Sequence, residues 1–260
     1  MFTINLHAHT RNSDGADSIQ EMAQEAKSLG HCALVITDHD YITGSYKSNL
    51  TELKTLEENK INLGIPVIIG SEIMTPMGEY LLFGARAITN WNEYKPKLRA
   101  IYDMFGDLSL WARMFKEYVL SNINIKNSYK GSRKLSKTSH FTPVNYALIK
   151  CHPHDFSANE FLFMPQLWWE CIHGFEIVNR INDYIILHPD SVEALRKVIP
   201  GGVELKNSDA HSADDLYRVY NEIPLEIKDE HQLIQWLRLS KKKPKDEAYL
   251  MAKELEKSTI

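Results

Sequence analysis

The sequence predicts an α/β protein of the (β/α) barrel kind. Three observations carry that expectation. Short apolar runs of strand length alternate with stretches of helical period. The runs are continuously apolar, as parallel strands covered on both faces are. Each ends in a polar residue of metal-ligand type, and a barrel collects its functional groups at the carboxyl ends of its strands.

Residues Phe2 to His7 read as the first strand, followed by the polar turn Arg11-Asn12-Ser13-Asp14-Gly15. Asp17 or Ser18 caps a helix that Gly30 closes, and Glu21, three residues after Ser18, completes a capping box. Cys32 to Thr37 is the second strand and ends at Asp38-His39-Asp40. A second helix runs from about Ser45 to Lys60. Pro66 to Gly70 is a third strand ending at Ser71-Glu72, and Glu79 to Gly84 a fourth.

A helical insertion, about residues 91–140, then interrupts the rhythm. Trp91 to Phe105 and Leu108 to Asn122 are helical in pattern, and Asn124 to Thr138 is a Ser/Lys/Asn-rich loop. Its cations (Lys126, Lys130, Arg133, Lys134, Lys137) fit a solvated loop best. A lid that attracts an anionic substrate is the functional alternative.

The alternation resumes with a strand from Tyr146 to Cys151, ending at His152-Pro153-His154, and a helix around Pro165 to Ile172. Gly174 to Val178 is a strand ending at Asn179-Arg180, and Pro189 to Val198 a helix. Gly202 to Lys206 is a strand ending at Asn207-Ser208-Asp209-Ala210-His211, and Asn221 to Ile227 a last strand. The charge run Lys241-Lys242-Lys243-Pro244-Lys245 reads as a solvated linker to a final polar helix. The expected organisation is one barrel domain over 1–240 and a basic linker with helix over 241–260.

The bulk composition excludes several classes. At 43% hydrophobic and 25% charged, the chain has the balance of a soluble globular protein, and 260 residues can bury a substantial core. A formal net charge of −4 gives no broad attraction to nucleic acid or anionic membrane. Cys32, Cys151 and Cys171 are odd in number and lack zinc-ribbon spacing; Cys32 and Cys151 sit inside apolar runs and read as buried thiols, and a reducing, cytoplasmic setting is expected. No signal peptide is expected, and no apolar run approaches the roughly 20 residues of a membrane span.

His7 and His9 stand one residue apart, so on a strand they project from one face as a bidentate arm for zinc, manganese or iron. Other strand ends add Asp14, Asp38-His39-Asp40, Glu72, His152 and His154, Asn179 and Arg180, and Asp209 and His211. Each has a plainer reading: a hydrogen-bonded histidine, a turn, a helix N-cap. Five such clusters on one topological edge make coincidence a poor explanation. Histidine and carboxylate without cysteine is the donor mix of hydrolytic divalent sites.

His-Ala-His-Thr with Ser13-Asp14-Gly15, Thr37-Asp38-His39-Asp40, the lone Glu72, Cys151-His152-Pro153 and Ser208-Asp209-Ala210-His211 resemble the ordered motifs of the PHP (polymerase and histidinol phosphatase) family. The resemblance implies a distorted (β/α)7 barrel and a centre of two or three divalent ions that hydrolyses phosphoesters. It implies that His7, His9, Glu72 and Asp209 hold one ion, that Glu72 and His152 hold a second, and that Asp14, His39 and His211 hold a third. Glu176 to Arg180 resembles a segment that supplies an arginine near the substrate phosphate. One departure stands out: related sequences often carry a metal-binding histidine in the strand after the glutamate, and Tyr80 takes that position here. The second ion would then be weakly held, or its subsite completed by His140, His154 or water.

Divalent ions roughly 3.5–4 Å apart bring a shared water to ionise near neutrality and stabilise both attacking and leaving oxygens in an in-line displacement. Arg180 is the first candidate for the guanidinium that neutralises the phosphoryl oxygens, and Arg11 the second. Ser13 is a further substrate-binding candidate. His154 and Asp40 are the candidates for protonating the leaving alkoxide, although Asp40 equally suits the orienting of a ligand histidine. A small phosphate monoester, such as a nucleotide or amino-alcohol phosphate, is the expected substrate. A nuclease is the alternative, in which the basic loop with Tyr129 and Phe141 would bind a strand. A metal-poor regulatory module that kept the barrel is a third, for which Tyr80 is the one supporting feature.

Overall fold

The first strand–helix–strand unit forms as its local chemistry dictates in the computed structural model, which describes residues 1–42, 44–121, 144–152, 164–181, 184–186, 189–217 and 219–241, without the side chains of 180–181 and 184–186. After β1 (Phe2–Asn5), the Ser18 hydroxyl accepts from the Glu21 amide at 3.2 Å, and the Glu21 carboxylate accepts from the Ser18 amide at 2.8 Å. That reciprocal cap starts α1 (Ile19–Ser28), which buries Ile19, Met22, Ala23 and Ala26 at helical spacing. β2 (His31–Ile36), α2 (Ser45–Glu58) and β3 (Val67–Ile69) continue the alternation.

At Gly70 the chain passes to a second sheet. A Cβ there would lie 2.7 Å from the Phe83 ring and 3.1 Å from Thr37 Cγ2, so only glycine fits. β4 (Ser71–Thr75) and β5 (Gly78–Phe83) form an antiparallel hairpin. This departs from the expected all-parallel order, and the connection explains it. The link from Thr75 to Gly78 is a tight turn, and parallel neighbours need a crossover of about a dozen residues. The helices α3 (Ala85–Phe105) and α4 (Leu108–Tyr118) follow, then β6 (Ala147–Lys150), α5 (Gln166–Cys171), β7 (Gly174–Ile181), β8 (Tyr184–Ile186), α6 (Pro189–Val198) and β9 (Val203–Asn207). β10 (Asn221–Ile223) is shorter than expected, and α7 (Glu230–Ser240) fills a stretch to which no element was assigned above.

The described residues thus form a mixed α/β fold of two sheets and seven α-helices, with no closed barrel among them. One sheet has the order β10-β1-β2-β3; the other runs β4-β5-β6-β7-β8, with β9 on the far side of β7. The sheets meet at their polar rim through the isolated bridges Ala8–Ala210 and His39–Glu72. Between them lies an apolar layer that includes Ile4, Leu6 and Val35 from one and Leu81, Ile149 and Leu205 from the other, with Leu233 and Leu237 of α7 packed on it. A second layer joins the β4–β9 sheet to α3, α4, α5 and α6; a third joins the β1–β3 sheet to α1 and α2.

The basic loop, His140, Tyr129 and Phe141, and the linker and final helix at 242–260 lie outside the described residues, as does His154. Among the described residues no helix is long and apolar enough to cross a membrane.

Trp168 is fully buried, packs edge-on to Tyr80, Trp111 and Phe115, and donates its indole N–H to the Tyr80 hydroxyl at 2.8 Å. Trp168→Ala is expected to cost about 3–5 kcal/mol in urea unfolding. Trp168→Phe should lose less, since only the hydrogen bond and part of the volume go.

Candidate metal centre

The rim where the sheets meet carries the polar ends of β1, β2, β6 and β9 together with Glu72 of β4. His7 and His9 follow β1 with no exposed surface, and the His9 amide donates to the Ala210 carbonyl at 2.7 Å. Their shared strand face brings the rings to 5.1 Å. His152 and Asp209 each stand two residues past a strand, at left-handed φ of 49° and 52°. Two such non-glycine residues at one rim mark strained backbone held in place by its surroundings. Gly15 lets the Ser13-Asp14-Gly15 turn fold against β1, since a Cβ there would lie 2.4 Å from the His9 carbonyl oxygen.

Glu72 is the hub. Its Oε2 lies 3.2 Å from His7 Nε2, 3.3 Å from His9 Nε2 and 3.0 Å from His39 Nδ1. Its Oε1 lies 3.2 Å from His152 Nε2 and accepts from the Cys151 thiol at 3.2 Å. Asp209 sits opposite, with Oδ1 3.0 Å from His9 Nε2 and 3.2 Å from His7 Nε2. Asp14 faces the outer side: 3.3 Å from His39 Nε2, 3.5 Å from His211 Nε2 and 3.6 Å from His9 Nδ1. The structure therefore brings together all eight of the sequence-derived ligand candidates: His7, His9, Asp14, His39, Glu72, His152, Asp209 and His211. Four subgroups have donor atoms close enough to share an ion: His7, Glu72, Cys151 and His152; His7, His9 and Asp209; His9, Asp14, His39 and His211; and His39, Glu72 and Glu79.

The other candidates are placed differently. The Asp40 carboxylate turns from the cluster to α3, accepting from Trp91 Nε1 at 2.6 Å and Lys95 Nζ at 2.7 Å, and from the Met74 amide at 3.1 Å. With three donors around it, it orients α3 and is not poised to protonate a leaving group. The Ser13 hydroxyl is within 2.8 Å of Asp38 and 3.0 Å of Asp14, so it holds the loop. Arg11 is exposed and lines an open cleft of about 660 Å³ with residues of α1 and α2, among them Lys47 and Thr51, and none of the ligand candidates lines that cleft. Arg180 lies in β7 opposite Ile185, but its side chain is outside the described residues.

Tyr80 is not at the centre. β4 and β5 pair Glu72 with Leu81 and Ile73 with Tyr80, and opposed residues share a face. Tyr80 therefore points away from Glu72 into the helical layer, where its hydroxyl donates to the Met77 carbonyl at 3.0 Å. Its neighbour Glu79 faces the cluster, with Oε2 3.6 Å from His152 Nδ1.

Sequence reasoning also missed Glu176 as a carboxylate of the cluster. It is fully buried; Oε1 accepts from His7 Nδ1 at 2.8 Å and from Asn207 at 2.9 Å, Oε2 from the His152 amide at 3.1 Å and from Asn179 at 2.8 Å. A register shift between Glu176 and Val178 against β9 lets both Glu176 and Asn179 face inward.

A model of the PHP domain matches residues 5–159, more than half of the chain. The chain belongs to the PHP family. Error-prone DNA polymerases of Mycobacterium bovis and Mycobacterium tuberculosis are 33% identical over 106 residues, 39% of this chain; the chain spans about 10% of the length of these curated relatives. Among solved structures, a two-domain protein from Bacteroides vulgatus containing a predicted PHP-like metal-dependent phosphoesterase is similar at 16% identity and a TM-score of 0.47, over 86% of this chain and 65% of that one. An amidohydrolase from Chromobacterium violaceum with bound sulfate is similar at 16% identity and a TM-score of 0.44, over 90% of this chain and 96% of that one. The PHP match ends before Asp209 and His211, which β9 carries to the same rim.

The donors of this PHP centre fit divalent ions. His9 Nδ1 and Asp209 Oδ2 are buried without hydrogen-bond partners among the described residues, as coordinating atoms would be. His7 Nδ1–H donates to Glu176, which leaves the Nε2 lone pair on the side of Glu72 and Asp209. His211 Nδ1 is likewise held by the Asp209 carbonyl at 2.9 Å, which turns Nε2 to Asp14.

Burial alone would lower the affinity of these imidazoles for protons, but the carboxylates override it. Burial opposes charge on His7, yet Asp209, Glu72 and Glu176 hold it well above the ordinary histidine range. His9 is pushed up to about 9 against burial by its hydrogen bonds to Asp209 and Glu72, and His152 to about 9 by Glu72 and Asp209. Burial would raise Glu72, but His7 and His152 take it well below the carboxylate range. His39 goes the other way, lowered by burial.

Two predictions follow from this wiring. His9 and His152 have folded pKa values raised above the unfolded value of about 6.5, so their contribution to the metal-free fold is complete below about pH 6.5 and fades as pH rises through about 9. Binding of a divalent ion must displace those protons. Titrating Mn²⁺ into chelator-treated protein at pH 7, in buffers of different ionisation enthalpy, should show proton release and an affinity that climbs toward pH 9; uptake without proton release would remove these imidazoles from the ligand set. Glu176→Gln should weaken Mn²⁺ binding roughly 10- to 100-fold while leaving the circular dichroism spectrum intact, because His7 loses the partner that orients it.

Proposed function

We propose that this PHP domain is a metal-dependent hydrolase of phosphate esters. One observation carries the reading: five histidines and three carboxylates from distant parts of the chain converge on one largely buried rim, with Glu72 within 3.3 Å of four imidazoles. Such a rim suits His7, His9, Asp209 and Glu72 to one ion, Glu72 and His152 to a second, and Asp14, His39 and His211 to a third. Manganese, zinc and iron all match this donor chemistry. When bound, the ions supply an activated water at neutral pH and neutralise charge on phosphoryl oxygens.

The protein's own groups do the rest. Glu176 and the Asp209 carbonyl fix the tautomers of His7 and His211. Asp38 accepts from the Thr10 amide and hydroxyl, both at 2.6 Å, and from Asn49 at 2.8 Å, and so locks the loop that carries Asp14. Arg180 is the proposed guanidinium for the substrate phosphate, and His154 the proposed proton donor to the leaving alkoxide. The bridges at Ala8–Ala210 and His39–Glu72, with the apolar layer shared by both sheets, support reading the two sheets as halves of one distorted (β/α)7 barrel over 1–240. The free thiols Cys32, Cys151 and Cys171 support a reducing, cytoplasmic setting.

A small phosphate monoester is the favoured substrate. The net charge of −4 gives a polynucleotide no broad attraction, and Lys95, on the helix beside the rim, is already paired with Asp40. The match to the mycobacterial polymerases motivates a phosphodiester substrate as the second reading. Phosphate release from nucleoside monophosphates, set against shortening of labelled oligonucleotides, separates the two. His9→Ala and Asp209→Ala should each abolish hydrolysis while the protein stays folded. Full activity in either variant would refute the site, and a protein that retains no metal after loading would point to a non-catalytic module.

A further inference from the structure

We propose that Glu79 is a metal ligand that shares an ion with Glu72, and that its carboxylate shifts the preference of that subsite toward a hard cation, Mn²⁺ or Mg²⁺, and away from Zn²⁺. This rests on the metal-centre reading of the preceding subsection.

The placement follows from strand geometry. The pairing of Glu72 with Leu81 puts position 81 on the face of Glu72, and alternation puts position 79 there too. Position 79, not position 80, thus presents its side chain to the cluster. Glu79 Oε2 lies 3.6 Å from His152 Nδ1 as an ion-pair contact, on the opposite side of the ring from the Nε2 that faces Glu72. A Glu79 oxygen, a Glu72 oxygen and a His39 nitrogen all lie within 4.8 Å of one another, the spacing of atoms around a shared ion. His39 and Glu72 are buried, and Glu79 is only 19% exposed at its side chain, so its charge faces the cluster more than solvent.

The chemistry then favours one class of ion. Exchanging an imidazole for a carboxylate raises the negative charge of the subsite and replaces a borderline nitrogen by a hard oxygen. Carboxylate and water ligands suit Mg²⁺ and Mn²⁺, whereas imidazole suits zinc. Glu72 and Glu79 give their group two carboxylates and one imidazole, against one carboxylate and three imidazoles in the group of His9, Asp14, His39 and His211.

The test reads metal content, not turnover. Chelator-treated wild type, Glu79→Gln and Glu79→His are loaded with Mn²⁺ or Zn²⁺, passed through a desalting column and assayed by elemental analysis; calorimetry gives the affinities. The wild type should retain more Mn²⁺ equivalents than Glu79→Gln, whose loss should be confined to one equivalent and weaken that step roughly 100-fold. Glu79→His should regain the equivalent with its preference moved to Zn²⁺. Equal stoichiometry and affinity in wild type and Glu79→Gln would overturn the proposal while leaving the metal centre standing. So would an unchanged Mn²⁺-to-Zn²⁺ preference in Glu79→His, the result expected if Glu79 only holds His152 from behind. A wild type that binds neither ion would overturn the metal centre itself, and this inference with it. Thermal unfolding of the metal-free variants distinguishes loss of a ligand from loss of the fold.

Discussion

Glu72 has almost no exposed surface, yet its carboxylate is charged, and every other feature of the rim answers to that fact. An isolated carboxylate buried in a protein interior would be several kcal/mol out of balance or would take up a proton. Here it meets imidazoles from the ends of three different strands. The same arrangement recurs around Asp209 and Glu176, so the rim is a lattice of alternating acids and imidazoles. Removing one member leaves its neighbours unbalanced, which is why the cluster is best regarded as one unit and not as a set of independent pairs.

The fold supplies the geometry that this balance requires. Parallel strands deliver their carboxyl ends to one edge, and the crossover at Gly70 brings Glu72 beneath β1 and β2. Left-handed backbone at His152 and Asp209 swings both side chains inward where an extended chain would carry them past. The surrounding hydrogen bonds hold that conformation: the His152 amide is tied to Glu176 and the Ala210 amide to the His7 carbonyl at 3.2 Å. Apolar packing on both sides of each sheet keeps water from the buried part of the lattice.

Much of this was legible in the sequence where the chemistry is local. The Ser18–Glu21 cap needs only two residues three apart, and the His7–His9 arm only two residues on one strand. The candidate ligands at 39, 72, 152, 209 and 211 were legible because each follows a run of strand length. What stayed hidden depends on register or on distant partners. Whether position 79 or 80 faces Glu72 turns on a one-residue choice of strand phase, which the apolar pattern of β5 does not reveal. Glu176 gains its place from an irregularity against β9 and from Asn207, far along the chain. Asp40 sits in the expected loop, but nothing local shows that its carboxylate would be claimed by an indole and an amine of α3. The second arm of the β4–β5 hairpin was legible as a strand, but β4, with Ser71, Glu72 and Thr75 in five residues, reads as the polar end of the strand before it. The helix α7 was legible and overlooked: Asp229 caps it, and Leu233, Ile234, Trp236 and Leu237 mark its inner stripe.

The contact of Asp40 with Trp91 and Lys95 has a consequence for how this protein can vary. The appended helices are riveted to the floor of the centre by a buried anion, not hung from it by a tether. Any replacement for them that failed to bring its own indole and ammonium would strand that anion, one peptide from His39. The appendage and the cluster must therefore change in concert, and neither can be exchanged between homologues as a free-standing part.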